Sequence, residues 1–212
     1  MNIINIDSKN PDNEAILNAA AVLKNGGILV YPTDTAYGIG VNAIDKKAIR
    51  KLYEIKGRDF TKPTHIVVKD WEMVNKIAKV NEYAKKLYSR FLPGPLTIIL
   101  PKKETIPNML TANLPTIGIR IPDSLVTKSI SNLVDFPYTT PSANRSGLST
   151  PYSIKEVSKV LDLEKVDLVL DAGTLPKTKP STIVDATAFP LKILREGPVS
   201  RKDLKNTGLE IV

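Results

Sequence analysis

Apolar and polar positions along this chain follow two periods, and the switches between them mark its elements. Ile16, Ala19, Ala20 and Leu23 recur at the spacing of one helix face, which predicts a helix over 12–25 stopped by Gly26-Gly27. Ile28-Leu29-Val30-Tyr31 is an unbroken apolar run, the pattern of a buried strand. Asp45 stands at an N-cap position ahead of Ala48, Ile49, Leu52 and Tyr53, so a second helix should run to about Ile55 and end at Gly57. A strand is predicted over 65–68, and helices over 71–78 and 82–91. Pro93-Gly94-Pro95 then breaks the pattern before strands over 96–100 and 117–121. Pro122-Asp123 opens a predicted helix toward Ile130, and Ser153 with Glu156 forms a capping box for a helix to about Leu161. Strands over 168–170, 182–184 and 191–194 complete the pattern.

Strands and helices alternate through most of the chain, which argues for an α/β sheet covered by helices. The last strands follow one another without long helices, so part of the sheet is expected to be antiparallel. With 212 residues and no repeat, low-complexity tract or long linker, one domain over 1–212 is expected.

Charge sharpens this picture. The net charge of +8, from 30 Lys+Arg against 22 Asp+Glu, favours anionic partners such as nucleotides, RNA or an acidic membrane surface. The absence of cysteine excludes disulfides, thiolate metal sites and cysteine nucleophiles, and a single histidine, His65, excludes a multi-histidine metal site. His65 lies in an alternating strand and reads as a packed or surface residue. The N-terminus lacks the basic and apolar regions of a signal peptide, and no apolar run reaches membrane-spanning length; a cytoplasmic protein without a membrane partner is expected.

Four polar segments sit at or near strand ends: Pro32-Thr33-Asp34-Thr35, Lys56-Gly57-Arg58, Ser142-Ala143-Asn144 and Ser181-Thr182-Ile183-Val184-Asp185. Their cations, hydroxyls and amide are the mixture that phosphate recognition needs. Gly38-Ile39-Gly40-Val41-Asn42-Ala43 matches a permissive dinucleotide-binding pattern, but its glycines do not sit directly between strand and helix, so they are expected to serve a tight chain reversal. No phosphate-binding P-loop pattern occurs.

Taken in order, these segments resemble the YrdC-like family. The resemblance extends to Lys62-Pro63, Phe91-Leu92-Pro93-Gly94-Pro95-Leu96-Thr97, Ile117-Gly118-Ile119-Arg120-Ile121-Pro122-Asp123 and Ile193-Leu194-Arg195-Glu196-Gly197-Pro198, and covers about 12–200. It implies an open, twisted, mixed β-sheet with helices packed around a basic concave face, in the short form without an additional C-terminal domain. The family contains threonylcarbamoyl-adenylate synthases. These join L-threonine, bicarbonate or CO2 and ATP into threonylcarbamoyl-AMP and pyrophosphate. A separate transfer complex then modifies adenosine 37 of tRNAs reading codons that begin with A.

By this resemblance Lys56 and Arg58 are the catalytic cations. Together with Lys62 they line the triphosphate path, and Ser142, Asn144, Arg195, Thr116 and Thr150 complete the ATP site. Thr35, Arg120, Thr140 and Ser181 are implied to hold L-threonine, with Arg120 on its carboxylate. Asp34, Asp123 and Asp185 read as caps or turn residues, and Mg2+ is expected with ATP, its protein ligands unknown. Many relatives place a histidine against threonine four residues after the Pro63 equivalent. Here that position is Val67, and His65 is not expected to inherit the role. Three rival readings stand beside the synthase: a non-catalytic protein binding double-stranded RNA or tRNA through phosphates, a carbamoyl-transfer domain of the same fold, and, distantly, a dinucleotide-dependent oxidoreductase.

Overall fold

The structure, a computed structural model, describes residues 2–212. In chain order the elements are β1 (Ile3–Asn5), α1 (Asn13–Lys24), β2 (Leu29–Pro32), β3 (Tyr37–Gly40), α2 (Lys46–Lys56), β4 (Ile66–Val67), α3 (Trp71–Ile77), α4 (Glu82–Phe91) and β5 (Leu96–Pro101). They continue with β6 (Thr116–Arg120), α5 (Leu125–Leu133), β7 (Tyr138–Thr139), α6 (Ile154–Val160), β8 (Leu168–Asp171), β9 (Thr182–Asp185), β10 (Lys192–Arg195) and α7 (Arg201–Lys205).

The strands form two mixed sheets, ordered β1-β8-β2-β3 and β10-β9-β5-β6-β4-β7. Their free edges, β3 and β7, are stitched together. Ile39 N donates to Pro141 O at 2.9 Å, Thr139 N to Val41 O at 3.0 Å and Ala43 N to Pro137 O at 2.9 Å. Between these bonds the Thr139 hydroxyl replaces a backbone rung, accepting from Val41 N at 3.0 Å and donating to Ile39 O at 3.1 Å. The expected open mixed sheet is thus two sheets joined along an irregular seam.

The two sheets are covered differently, and that difference creates the site. In the first, Leu29, Tyr31, Leu168 and Leu170 pack toward α1 and α5, while Val30, Ile39 and Val169 pack toward α2 and α6. Helices therefore cover both faces, which is why β2 reads as an unbroken apolar run. In the second sheet Ile98, Leu100, Ile117, Ile119 and Val184 pack against α3 and α4 through Val74, Ile77, Ala84 and Leu87. Fully burying each such side chain contributes about 1.5–3 kcal/mol. Because strand side chains alternate, the opposite face presents Thr97, Gly118, Arg120 and Ile183, and it lines a cavity.

Caps explain most helix starts. Asp12, Asp45 and Ser153 accept first-turn amides as expected. The Ser153 box is only half formed, because Glu156 reaches back to Tyr152 N at 2.6 Å, one residue early. A complete box occurs instead at Ser200 and Asp203, which open α7, an element the sequence pattern does not predict. The helix expected to open at Pro122-Asp123 starts later, capped by Ser124, because Asp34 holds the Asp123 amide at 3.2 Å.

Gly38 and Gly40 do not form a chain reversal; they lie inside the buried strand β3. They permit close packing: a Cβ at Gly40 would stand 2.9 Å from Tyr31 Cε1 and 3.4 Å from Thr139 O. Tyr31 is fully buried and its hydroxyl donates to Thr139 O at 3.0 Å, so the ring has little room to yield. Gly40→Ala is expected to destabilise the fold by about 1–3 kcal/mol through overpacking at the seam. Urea denaturation checks this; an unchanged midpoint would show that the ring relaxes freely.

Candidate functional site

A cavity of about 270 Å³ lies on the Arg120 face of the second sheet, where that face meets the turn between β2 and β3. Of the residues implicated from the sequence, Thr35, Arg58, Arg120, Thr140, Ser142, Thr150, Ser181 and Arg195 line it. They come from six separate chain regions. The turn is closed by the Thr33 hydroxyl, which donates to Ala36 O at 2.8 Å and accepts from Thr35 N at 3.2 Å. Segment 172–181, joining β8 to β9, borders the cavity. It is pinned where Tyr152 Oη donates to Thr178 O at 2.7 Å and Thr178 Oγ1 donates to Thr35 O at 2.9 Å.

Four implicated residues lie outside the cavity wall. Gly57, with φ of +51°, ends α2 in a left-handed conformation and sends its two neighbours in different directions. Arg58 turns to the cavity, donating to Lys62 O at 3.2 Å and Pro63 O at 2.8 Å. Lys56 turns inward, 2 % exposed, and its ammonium donates to Ser142 O and Asn144 O, both at 2.6 Å. Lys56 is therefore the anchor of the 142–144 loop rather than part of a triphosphate path. The Asn144 side chain is likewise spent within its loop, accepting from Ser142 Oγ and donating to Leu148 O. Lys62 is exposed beyond the cavity wall. Thr116 shares the Arg120 face of β6 but stands at the strand's other end, roughly 13 Å away by strand rise.

One cavity residue was not among those implicated from the sequence. His65 lines the cavity, whereas Val67 is 1 % exposed and packed in the core. Register explains why the imidazole has room, since His65 falls opposite Gly118, where a Cβ would stand 3.0 Å from His65 Cβ. A glycine inside a strand was the available signal of close approach. Burial, reinforced by the Arg120, Arg195 and Arg58 charges, brings His65 down to about 3, so the imidazole is neutral at physiological pH.

Charge in the cavity is strongly one-sided. Arg195 bonds Ser181 O through Nε at 3.0 Å and Nη2 at 2.8 Å; Ser181 Oγ also pairs with Thr97 Oγ1 at 2.8 Å. Arg120 is buried and ion-paired with Asp34. Yet Arg120 Nε and Thr140 Oγ1 are closed off from water with no hydrogen-bond partner. Both residues line the cavity, and buried polar atoms left unpaired are rare in a finished fold. With neutral His65, the site's means of catalysis are positioning and neutralisation of anionic charge.

Comparison with known proteins agrees with this geometry. The Sua5/YciO/YrdC family model, described as telomere recombination, matches residues 21–197. A Methanocaldococcus jannaschii protein named putative threonylcarbamoyl-AMP synthase is 46% identical over 175 residues, 82% of each chain. The Pyrococcus abyssi threonylcarbamoyl-AMP synthase is 34% identical over 91% of this chain and 57% of its own length. A crystal structure of Pyrococcus abyssi Sua5 complexed with L-threonine superposes with a TM-score of 0.94 at 32% identity, covering 100% of this chain and 63% of that one. The chain thus spans less than two thirds of the length of these Pyrococcus proteins.

The buried ammonium makes loop anchoring testable by pH. Burial, with the nearby Arg58 charge, brings Lys56 from 10.5 down to about 7. Between these values the unfolded chain binds the proton that the fold has released, so this group's contribution to stability rises with pH across that window. Lys56→Met is expected to lose that slope and to destabilise the loop, by about 1–3 kcal/mol for each carbonyl left without its donor. Thermal denaturation from pH 7 to 10 checks both; parallel wild-type and variant profiles would contradict the reading.

Proposed function

The chain belongs to the Sua5/YciO/YrdC family, and on that footing we propose that it synthesises L-threonylcarbamoyl-AMP from L-threonine, bicarbonate or CO2 and ATP. The observation that carries this reading is the convergence of three guanidiniums, from Arg58, Arg120 and Arg195, with the hydroxyl residues Thr35, Thr140 and Ser181 on one cavity wall. The Arg120 guanidinium suits an amino-acid carboxylate, and the hydroxyls suit its other polar groups. Arg58 and Arg195 suit the phosphates, with Ser142 and Thr150 as hydroxyl partners at the same wall. Exposed Lys62 is a further cation for the triphosphate tail.

In the proposed reaction the threonine amine captures CO2 or bicarbonate as a carbamate. A carbamate oxygen then forms a bond to the α-phosphorus of ATP, and the bond to the β-phosphate oxygen breaks to release pyrophosphate. The residues at hand hold the two anions together and neutralise the charge that moves to the leaving group. Neutral His65 adds a hydrogen-bonding group without adding a cation. Among the described residues no three histidine or acidic side chains cluster as a metal site. Mg2+ would enter with the phosphate oxygens of ATP. The product would pass to a transfer complex that modifies tRNA adenosine 37.

Incubation with ATP, Mg2+ and bicarbonate should release pyrophosphate and form threonylcarbamoyl-AMP, detected by mass, only when L-threonine is present. ATP bound without such a product would refute the synthase. Arg58→Ala is expected to abolish the product with little change in melting temperature, because its bonds lie at the surface. Ser181→Ala should raise the KM for L-threonine; a defect in ATP alone would reassign it to the nucleotide.

A further inference from the structure

The three guanidiniums of the cavity are not equivalent, and the difference rests on one carboxylate. Asp34 Oδ1 accepts from Arg120 Nη2, with the Arg120 and Asp34 side chains 4% and 9% exposed. Its second oxygen accepts the Asp123 amide at 3.2 Å, so the carboxylate is clamped between the end of β6 and the corner that follows. Asp34 itself stays outside the cavity wall. Arg58 and Arg195 have no such partner. Arg58 donates to two carbonyls and Arg195 to the Ser181 carbonyl and hydroxyl, and neither forms a salt bridge among the described residues. One half of the cavity is therefore nearly electroneutral, while the other carries uncompensated positive charge.

We propose that Asp34 is a positioning residue that assigns the two substrates to the two halves. It acts through Arg120 in two ways. By occupying Nη2 it fixes the guanidinium plane and the direction of its remaining donors. By cancelling the Arg120 charge it removes the attraction for phosphate. A dianion meets about twice the repulsion from Asp34 that a monoanionic carboxylate meets, since Coulomb energy scales with charge. Phosphate is thereby directed to Arg58 and Arg195. His65 and Tyr31, which also stand against Arg120, are held neutral, and Arg195, the other charged neighbour, adds positive charge on the phosphate side. The inference rests on the synthase reading for the identity of the amino acid, but its electrostatic content does not.

The test is calorimetric titration of the full chain with inorganic phosphate and, separately, with L-threonine. In Asp34→Asn, phosphate binding should tighten about tenfold or more, while L-threonine, with a single carboxylate charge, should gain distinctly less. Adding Arg120→Met should cancel the gain in phosphate affinity, a readout that a merely structural role of Asp34 would not produce. A phosphate isotherm unchanged by Asp34→Asn, or a gain that survives Arg120→Met, overturns the proposal. Should Asp34→Asn fail to fold by circular dichroism, wild-type crystals soaked in phosphate decide instead. Phosphate on Arg58 and Arg195 alone supports the assignment, and phosphate on Arg120 overturns it. Wild-type protein that binds no L-threonine would refute the synthase reading while leaving the phosphate result decisive for Asp34.

Discussion

The two sheets depend on Thr139, whose hydroxyl stands in for a backbone rung between β3 and β7. That rung stands among three backbone bonds, and together they hold the first sheet, with its Thr33–Thr35 turn, in register with the second, which carries Arg120 and Ser181. A side chain can replace a rung here because the neighbouring strand carries Gly40 and lies close. Buried backbone groups must be paired, and the irregular seam pairs them while letting one sheet edge bend past the other. The cavity opens at that bend.

From this constraint follows a division of labour. The first sheet, packed by helices on both faces, is a rigid support. The second sheet packs one face on the core and gives part of the other to the cavity. Loops that supply ligand-facing groups are fixed from beneath by groups that never meet the ligand: Lys56 under the 142–144 loop, Asp34 behind Arg120, Thr178 across from Thr35. Each of these groups is held by named hydrogen-bond partners, which lowers the cost of burying it.

Much of this was legible in the sequence, and the exceptions have physical reasons. Strands such as β2 and β5 are apolar runs bounded by turn residues and could be read directly. β3 could not, because two glycines hide its alternation, and β1 is three residues with little burial. Eight wall residues were recognisable from motif order, yet motif order does not report side-chain direction. Lys56 and Arg58 look equivalent until the left-handed turn at Gly57 separates them. His65 and Val67 differ only in which rung of β6 each one meets, and that depends on a pairing some fifty residues away in the chain. Charge pairing between Asp34 and Arg120 is likewise a long-range fact.

The same scatter of wall residues, from Thr33 to Arg195, bears on how the protein reaches its native state. β1 pairs with β8 and β5 with β9, so strands distant in the chain must meet before the sheets exist. Such non-local pairing makes folding slow, because loop closure costs entropy before contacts reward it. No partly folded or partly synthesised chain can own the cavity. Any ligand that occupies it therefore binds only the finished molecule, and by mass action its cellular concentration adds directly to the protein's resistance to unfolding and degradation.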